Sequence, residues 1–338
     1  MRNITFLKEP VYIRSHAAVG GFEEGRGPLG SRFDLIDRSD KFGMDTWERS
    51  EGEMSRTALN LALSKAGLSP DKISVLAAGD LQNQCVASSG GLFSLGIPYL
   101  GLYGACSTCC ESLIVASSYL SSTEGAVYAA AVTSSHNSAA ERQFRTPLEY
   151  GGQRPPTSQW TATASGAFVL SKIPSKVKIS AFMPGRIVDG YITDSSNMGA
   201  AMALSTFDTL SSFFGEVSSD GFDFVFTGDL GRIGSDILRS LLLDGSPSLR
   251  KISAIHEDCG LLLYDMKRRD VHSGASGCGC SASVLSAKII PMLESGEIKK
   301  IAFLSTGALM SPSSVLQGEH ICGISPITVI EREDIQDE

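Results

Sequence analysis

Cys106 stands in the run Gly104-Ala105-Cys106-Ser107-Thr108-Cys109-Cys110-Glu111-Ser112-Leu113, among small residues and between an apolar stretch and a helix-like one. That placement is how a protein exposes a thiolate nucleophile. Residues Ile97 to Tyr103 read as a short buried strand, and Glu111 to Leu120 carry helical apolar spacing. A tight turn between them aims the Cys106 thiol at the amides of the helix start, whose partial positive charge lowers a thiol pKa and draws anions. The hydroxyls of Ser107 and Thr108 join those amides, so the same turn is a receptor for a carboxylate.

A nucleophilic thiol needs a proton-handling partner and oxyanion donors. His136 lies 136 − 106 = 30 residues further on, just past a core strand, where α/β folds place ligand groups, and Asn137 follows it. Arg142 and Arg145 come next and are suited to pairing with a carboxylate, or more simply with Glu141 or Glu149. Asp80 and Asp229 each end an apolar run in Gly-Asp-Leu, a position that caps helices or ties down turns and leaves a ligand role as the alternative. Cys106-Ser107-Thr108-Cys109 is formally Cys-x-x-Cys, and Cys278 with Cys280 would complete a four-thiolate zinc site. In a regular helix, however, Cys109 and Cys110 are small packing residues.

The elements that must position these groups alternate between β-type and helical patterns, the signature of an α/β chain. Met54 to Gly67 reads as a helix ended by its glycine, Ile73 to Gly79 and Ala126 to Thr133 as buried strands, Gly166 to Ser171 as a further strand followed by Lys176 to Val188. Ser135 to Thr163 reads as a long polar loop, ordered by Phe144, Tyr150 and Trp160. The second half repeats the first. Val75 to Leu81 is echoed by Val225 to Leu230, Ala105-Cys106-Ser107 by Gly279-Cys280-Ser281, and Ala129 to Thr133 by Ile301 to Thr306. From cysteine to threonine the spacing is 133 − 106 = 27 in one half and 306 − 280 = 26 in the other. The division falls into residues 1–173 and 174–338, and two such halves about a pseudo-twofold axis bring both cysteine turns to the middle of the molecule.

With 338 residues and 42% hydrophobic content the chain can bury a large core. Its charge, 29 − 37 = −8, and the lack of a dense basic run exclude a nucleic-acid surface. No apolar run approaches the ~18 residues of a membrane span, and charges at Arg2, Lys8 and Glu9 interrupt any signal-like start. A soluble, intracellular protein with reduced cysteines is the expectation.

Taken together, Gly27-Pro28-Leu29-Gly30, Ala78 to Gln84, Gly104 to Thr108, Thr133 to Asn137 with Ala140 to Arg145, Phe226 to Leu230, Asp258-Cys259-Gly260, Gly277 to Ala282 and Thr306 to Leu309 resemble the thiolase and β-ketoacyl synthase superfamily. Within it, the chain is similar to the stage V sporulation AD family of spore-forming bacteria. The resemblance implies a thiolase-like, five-layer αβαβα fold, a homodimer, and binding of dipicolinic acid (pyridine-2,6-dicarboxylate) for its uptake into the developing spore. It also implies membrane-embedded partners of the same SpoVA system, at the cytoplasmic face of the forespore inner membrane. No cofactor is implied beyond calcium accompanying the ligand.

In ketoacyl synthases the strand equivalent to Phe222 to Gly228 is followed by a catalytic histidine motif, where this chain has Gly228-Asp229-Leu230. The turn that would carry a second polar group reads Ser276 to Cys280, without His or Asn, and His272 does not sit in a Gly-His-Pro turn. The expectation is therefore a degenerate condensing enzyme that binds its ligand near Cys106, Ser107, Thr108, His136, Asn137, Arg142, Arg145, Asp80, Asp229 and Cys278. An active acyl-CoA condensing enzyme or acyltransferase using Cys106 is the competing class, and a scaffold for membrane partners the third.

Overall fold

A computed structural model describes residues 4–145, 154–268 and 270–334, without the side chain of residue 145. The first half runs β1 (Thr5–Gly20), α1 (Trp47–Ala66), β2 (Ile73–Gly79), α2 (Val86–Leu92), β3 (Tyr99–Gly101), α3 (Thr108–Ser122), β4 (Tyr128–Ser135), α4 (Asn137–Arg145) and β5 (Ala164–Ser171). The second runs β6 (Val177–Met183), α5 (Met198–Phe214), β7 (Phe224–Thr227), α6 (Gly231–Leu243), β8 (His256–Asp258), α7 (Cys278–Val284), β9 (Lys300–Leu304) and β10 (Ile327–Arg332). Local chemistry sets the ends. Thr46 caps α1 by accepting from the Arg49 amide at 3.4 Å, and Gly67 closes it in the left-handed region at φ 68°.

Sheet order makes the duplication explicit. One half reads β3-β2-β4-β5-β1 and the other β8-β7-β9-β10-β6. Corresponding pairs share their sense: β2·β4 and β7·β9 are parallel, while β4·β5, β5·β1, β9·β10 and β10·β6 are antiparallel. The halves join where β1 pairs with β6. Between them α3 and α7 form a central layer whose Cys109, Cys110, Leu113, Ala116, Cys280, Ala282 and Val284 pack with Phe168, Phe226 and Phe303 of the sheets. Met54, Ala58, Leu59 and Ala62 of α1 cover the outer face of one sheet, and Met202, Leu210 and Phe213 of α5 that of the other.

Two expectations are corrected. The apolar run Ile97 to Tyr103 is not a buried strand but the three-residue edge strand β3, with Tyr99 and Leu100 36% and 43% exposed, because β2 is its only neighbour among the described residues. The long loop Ser135 to Thr163 is partly regular. Asn137–Arg145 is helical, and Trp160–Thr161 pairs in parallel with Ala275–Ser276. Tyr150 lies outside the described residues.

Candidate functional site

The elbow at Cys106 is built from its own backbone. Ala105 takes φ 52°, an uncommon conformation for a residue with a Cβ, and throws the following thiol toward the interior between the halves. Both neighbouring hydroxyls hold that turn in place. Ser107 Oγ lies 2.7 Å from the Gly104 carbonyl and 2.6 Å from Glu111 Oε1, while Thr108 Oγ1 donates to the Ala105 carbonyl at 2.7 Å and accepts from the Gly104 amide at 3.1 Å. The hydroxyls expected to receive a carboxylate are thus already engaged inside the turn.

The second cysteine turn meets the first, as the duplication requires. Gly277, at φ 103°, leads into α7, and Gly279 lies so close to the Ala164 carbonyl that a Cβ there would stand 2.1 Å from it. Cys278 donates to the Ser134 carbonyl at 2.9 Å and shares an apolar cluster with Cys106, Leu81 and Ala140, with Phe144 packed against it.

Asp229 occupies the junction. Its Oδ2 accepts from the Gly277 amide at 2.7 Å and its Oδ1 from Thr306 Oγ1 at 2.6 Å, and the Cys106 thiol lies beside it. Burial pushes this carboxyl up to about 7, against the pull of those donors. The same burial, with the Asp229 charge beside it, drives the Cys106 thiol well above the ordinary cysteine range. The expectation of an activated, electropositive thiolate is overturned. The helix-start amides are outweighed by desolvation and by an adjacent acid.

Other candidates divide between scaffold and site. Asp80 accepts from the Gln82 and Ser88 amides at 2.7 Å each, tying its turn to the start of α2. His136 is engaged by the segment before α1 and its first residue. Its Nε2 contacts the Asp40 carbonyl at 2.8 Å, its ring lies 5.2 Å from that of Trp47, and burial lowers its pKa. Asn137 donates from Nδ2 to the Thr161 carbonyl at 3.2 Å. Arg142 pairs with Glu48, and Glu149 lies outside the described residues. The side chain of Arg145 lies outside the described residues. Cys278 and Cys280 donate to different carbonyls, and among the described residues no group of three or more His, Cys, Asp or Glu could hold a metal.

What faces Cys106 is a cavity of about 40 Å³ lined by Leu81, Ala105, Ala140, Glu141, Phe144, Thr161, Met198, Ser276, Ala308 and Met310. The interior also holds a carboxyl that spacing alone does not reveal: Glu51, fully buried, accepts from Ser134 Oγ at 3.0 Å and Gln82 Nε2 at 3.3 Å. Its pKa is raised well above normal by burial and by Asp80. Only its place on the inward stripe of α1, between Trp47 and Met54, hinted at burial.

The whole arrangement has relatives. Solved structures that share the fold include a variant form of OleA from Xanthomonas campestris (TM-score 0.58, 15% identity, 97% of this chain and 99% of that one). Another is 3-oxoacyl-[acyl-carrier-protein] synthase III of Aquifex aeolicus VF5 (TM-score 0.55, 13% identity, 97% and 100%). The fold is thiolase-like, as expected. In sequence, the stage V sporulation protein AD of Bacillus subtilis (strain 168) is 40% identical over 329 residues, 96% of each chain. The family model described as Stage V sporulation protein AD (SpoVAD) matches residues 2–331. This chain therefore belongs to the stage V sporulation protein AD family, as a sporulation protein built on the thiolase-like fold.

Proposed function

We propose that the protein binds dipicolinic acid at the cavity beside Cys106 and serves its uptake into the developing spore without condensing chemistry. One observation carries the reading: the Cys106 thiol is buried beside the buried Asp229 carboxyl, a setting that favours sulfur as the neutral thiol. A condensing enzyme needs the opposite, a partner that takes the proton and leaves a thiolate. What the cavity offers instead is apolar wall for a planar ring, from Leu81, Phe144, Met198 and Met310, with the hydroxyls of Thr161 and Ser276 at its side. Its present volume suits about three waters, so a pyridine ring enters as rim side chains such as Phe144 and Met310 rotate.

The competing reading, an active acyl-CoA enzyme, draws on the retained elbow with its strained Ala105. Incubation with acyl-CoA followed by intact-mass measurement separates the two, since a stable acyl adduct on Cys106 sinks the binder. Calorimetric titration with dipicolinate, with and without calcium, tests binding directly, and absence of heat at millimolar ligand counts against it. The proposal extends to partners. The edge strand β3, flanked by exposed Phe93 and Tyr103, suits pairing with a second copy, and the membrane proteins of the same SpoVA system are the further partners, met at the inner membrane of the forespore. No helix among the described residues is long and apolar enough to cross that membrane, so the association proposed is peripheral.

A further inference from the structure

We infer that Arg154 is the cation that receives a ligand carboxylate in the Cys106 cavity, and that Glu141 holds its place until a ligand arrives. The inference rests on the cavity being a carboxylate site, as proposed above, and names the residue that supplies the charge.

A carboxylate entering this cavity meets acids, Glu141 on the wall and Asp229 behind the thiol, in a chain of net charge −8. Charge of the opposite sign must come from nearby, because an unpaired buried carboxylate is costly. Arg142 is turned to Glu48. Arg154 is differently placed. Its Nη2 lies 3.8 Å from Glu141 Oε1, an ionic contact without a hydrogen bond between these two atoms, and both side chains are largely covered, 23% and 20% exposed. Its guanidinium sits over the Trp160 ring, 5.2 Å from the centroid, and Nη2 also donates to the Gln159 carbonyl. Trp160 is fixed in turn by its pairing with Ala275. The next residues of both strands, Thr161 and Ser276, are cavity wall. The guanidinium is thereby held over a rigid element, one carboxylate away from the cavity.

Such a plane matches a carboxylate through a bidentate fork. When a ligand carboxylate takes the place of Glu141, the guanidinium keeps a carboxylate beside it. The walls select for what the carboxylate is attached to: Phe144, Met198 and Met310 favour an aromatic ring over a polar body. The ligand class is an aromatic carboxylate.

The test is calorimetric titration of the full-length protein with dipicolinate, pyridine-2-carboxylate and benzoate, on the wild type and on Arg154→Gln, Arg154→Lys and Glu141→Gln. Arg154→Gln is expected to weaken binding at least tenfold, Arg154→Lys to recover part of that loss, and Glu141→Gln to tighten binding several-fold by removing the internal competitor. Thermal melts check that each variant folds; should Arg154→Gln unfold, tightening by Glu141→Gln decides alone. Affinities within twofold of wild type for both Arg154→Gln and Glu141→Gln overturn the inference while leaving dipicolinate binding intact. Arg154-dependent binding of benzoate or pyridine-2-carboxylate without dipicolinate binding supports the inference and sinks the proposed function. A wild type that binds none of the three overturns both.

Discussion

The Cys106 thiol lies beside the Asp229 carboxyl across the boundary between the two halves of the chain, close enough for each to act on the other's proton. Asp229 is the counterpart of Asp80, yet the two do different work. Asp80 spends its oxygens on the turn and helix start that follow it. In the second half that duty passes to Asp258, which accepts from the Leu230 and Gly231 amides at 2.9 and 3.0 Å. Asp229 is released to reach Gly277, Thr306 and the thiol.

Asp229 should therefore control the reactivity of Cys106. Each unit by which a thiol pKa falls multiplies its thiolate about tenfold at neutral pH. Asp229→Asn removes the adjacent charge and should raise the rate of Cys106 alkylation by a small reagent such as iodoacetamide at least ~10-fold. Peptide mass mapping at mildly alkaline pH reads it. A wild-type Cys106 that reacts as fast as an exposed cysteine contradicts the assignment; equal inertness in both proteins assigns protection to burial alone.

Stability should depend on pH in the direction set by buried acids. Asp229 and Glu24 are both pushed up to about 7 by burial, and Asp258 to about 6. Because their folded pKa values exceed the unfolded ones, the native state keeps protons that the unfolded chain has released. Their contribution is fully present below the ordinary carboxylate range and is lost as pH rises through about 6 to 7. Urea unfolding should thus show greater stability at about pH 5.5 than at about pH 8, and Asp229→Asn should shrink that difference by ~1 kcal/mol or more. A slope of opposite sign, or one unchanged in the variant, refutes the role given to Asp229.

Local patterns carried much of this into view from the residues alone. Ile73–Gly79 and the Gly67 cap are fixed by apolar runs and by a glycine that needs a positive φ, both short-range properties. The echo of Gly-Asp-Leu and of the cysteine turn made the repeated sheet order legible. The contact between Cys106 and Asp229 was not legible as such, since 229 − 106 = 123 residues separate them and only packing of the halves brings them together. The helix α4 was hidden because its composition is polar, and β3 looked buried because an apolar run does not say which strand lies at the edge. His136 looked like a pocket residue from its place after a strand, but the turn beyond β4 directs its ring toward Asp40.

The meeting of the two cysteine turns predicts a sharp contrast between glycines. A Cβ at Gly279 would stand 2.1 Å from the Ala164 carbonyl oxygen and 2.8 Å from the Ser135 amide nitrogen, backbone atoms of the opposing half that cannot yield cheaply. Gly279→Ala should cost about 2–4 kcal/mol. Gly43, at φ 76° with nothing within 4 Å of an added Cβ, should lose only about 1 kcal/mol on the same change, from backbone strain. Urea midpoints of the two variants compare them, and equal losses would deny the close contact.

If the cavity takes a dicarboxylate, a second cation is needed beside the first, and the two arginines of α4 differ as candidates. Arg142 is 58% exposed and pairs with Glu48, so Arg142→Ala removes a surface ion pair and should change dipicolinate affinity by less than ~0.5 kcal/mol. Arg145 directly follows Phe144, a wall of the cavity, and we propose that it meets the ligand's second carboxylate. Arg145→Ala should then cost ~1.5–3 kcal/mol of binding, the range for a hydrogen bond to a charged group. Pyridine-2-carboxylate, which lacks that second group, should lose much less. Calorimetric titration of both ligands into both variants separates the roles: affinity for dipicolinate unchanged by Arg145→Ala removes it from the site, and equal losses for the two ligands mean that it acts on the shape of the cavity rather than on the second charge.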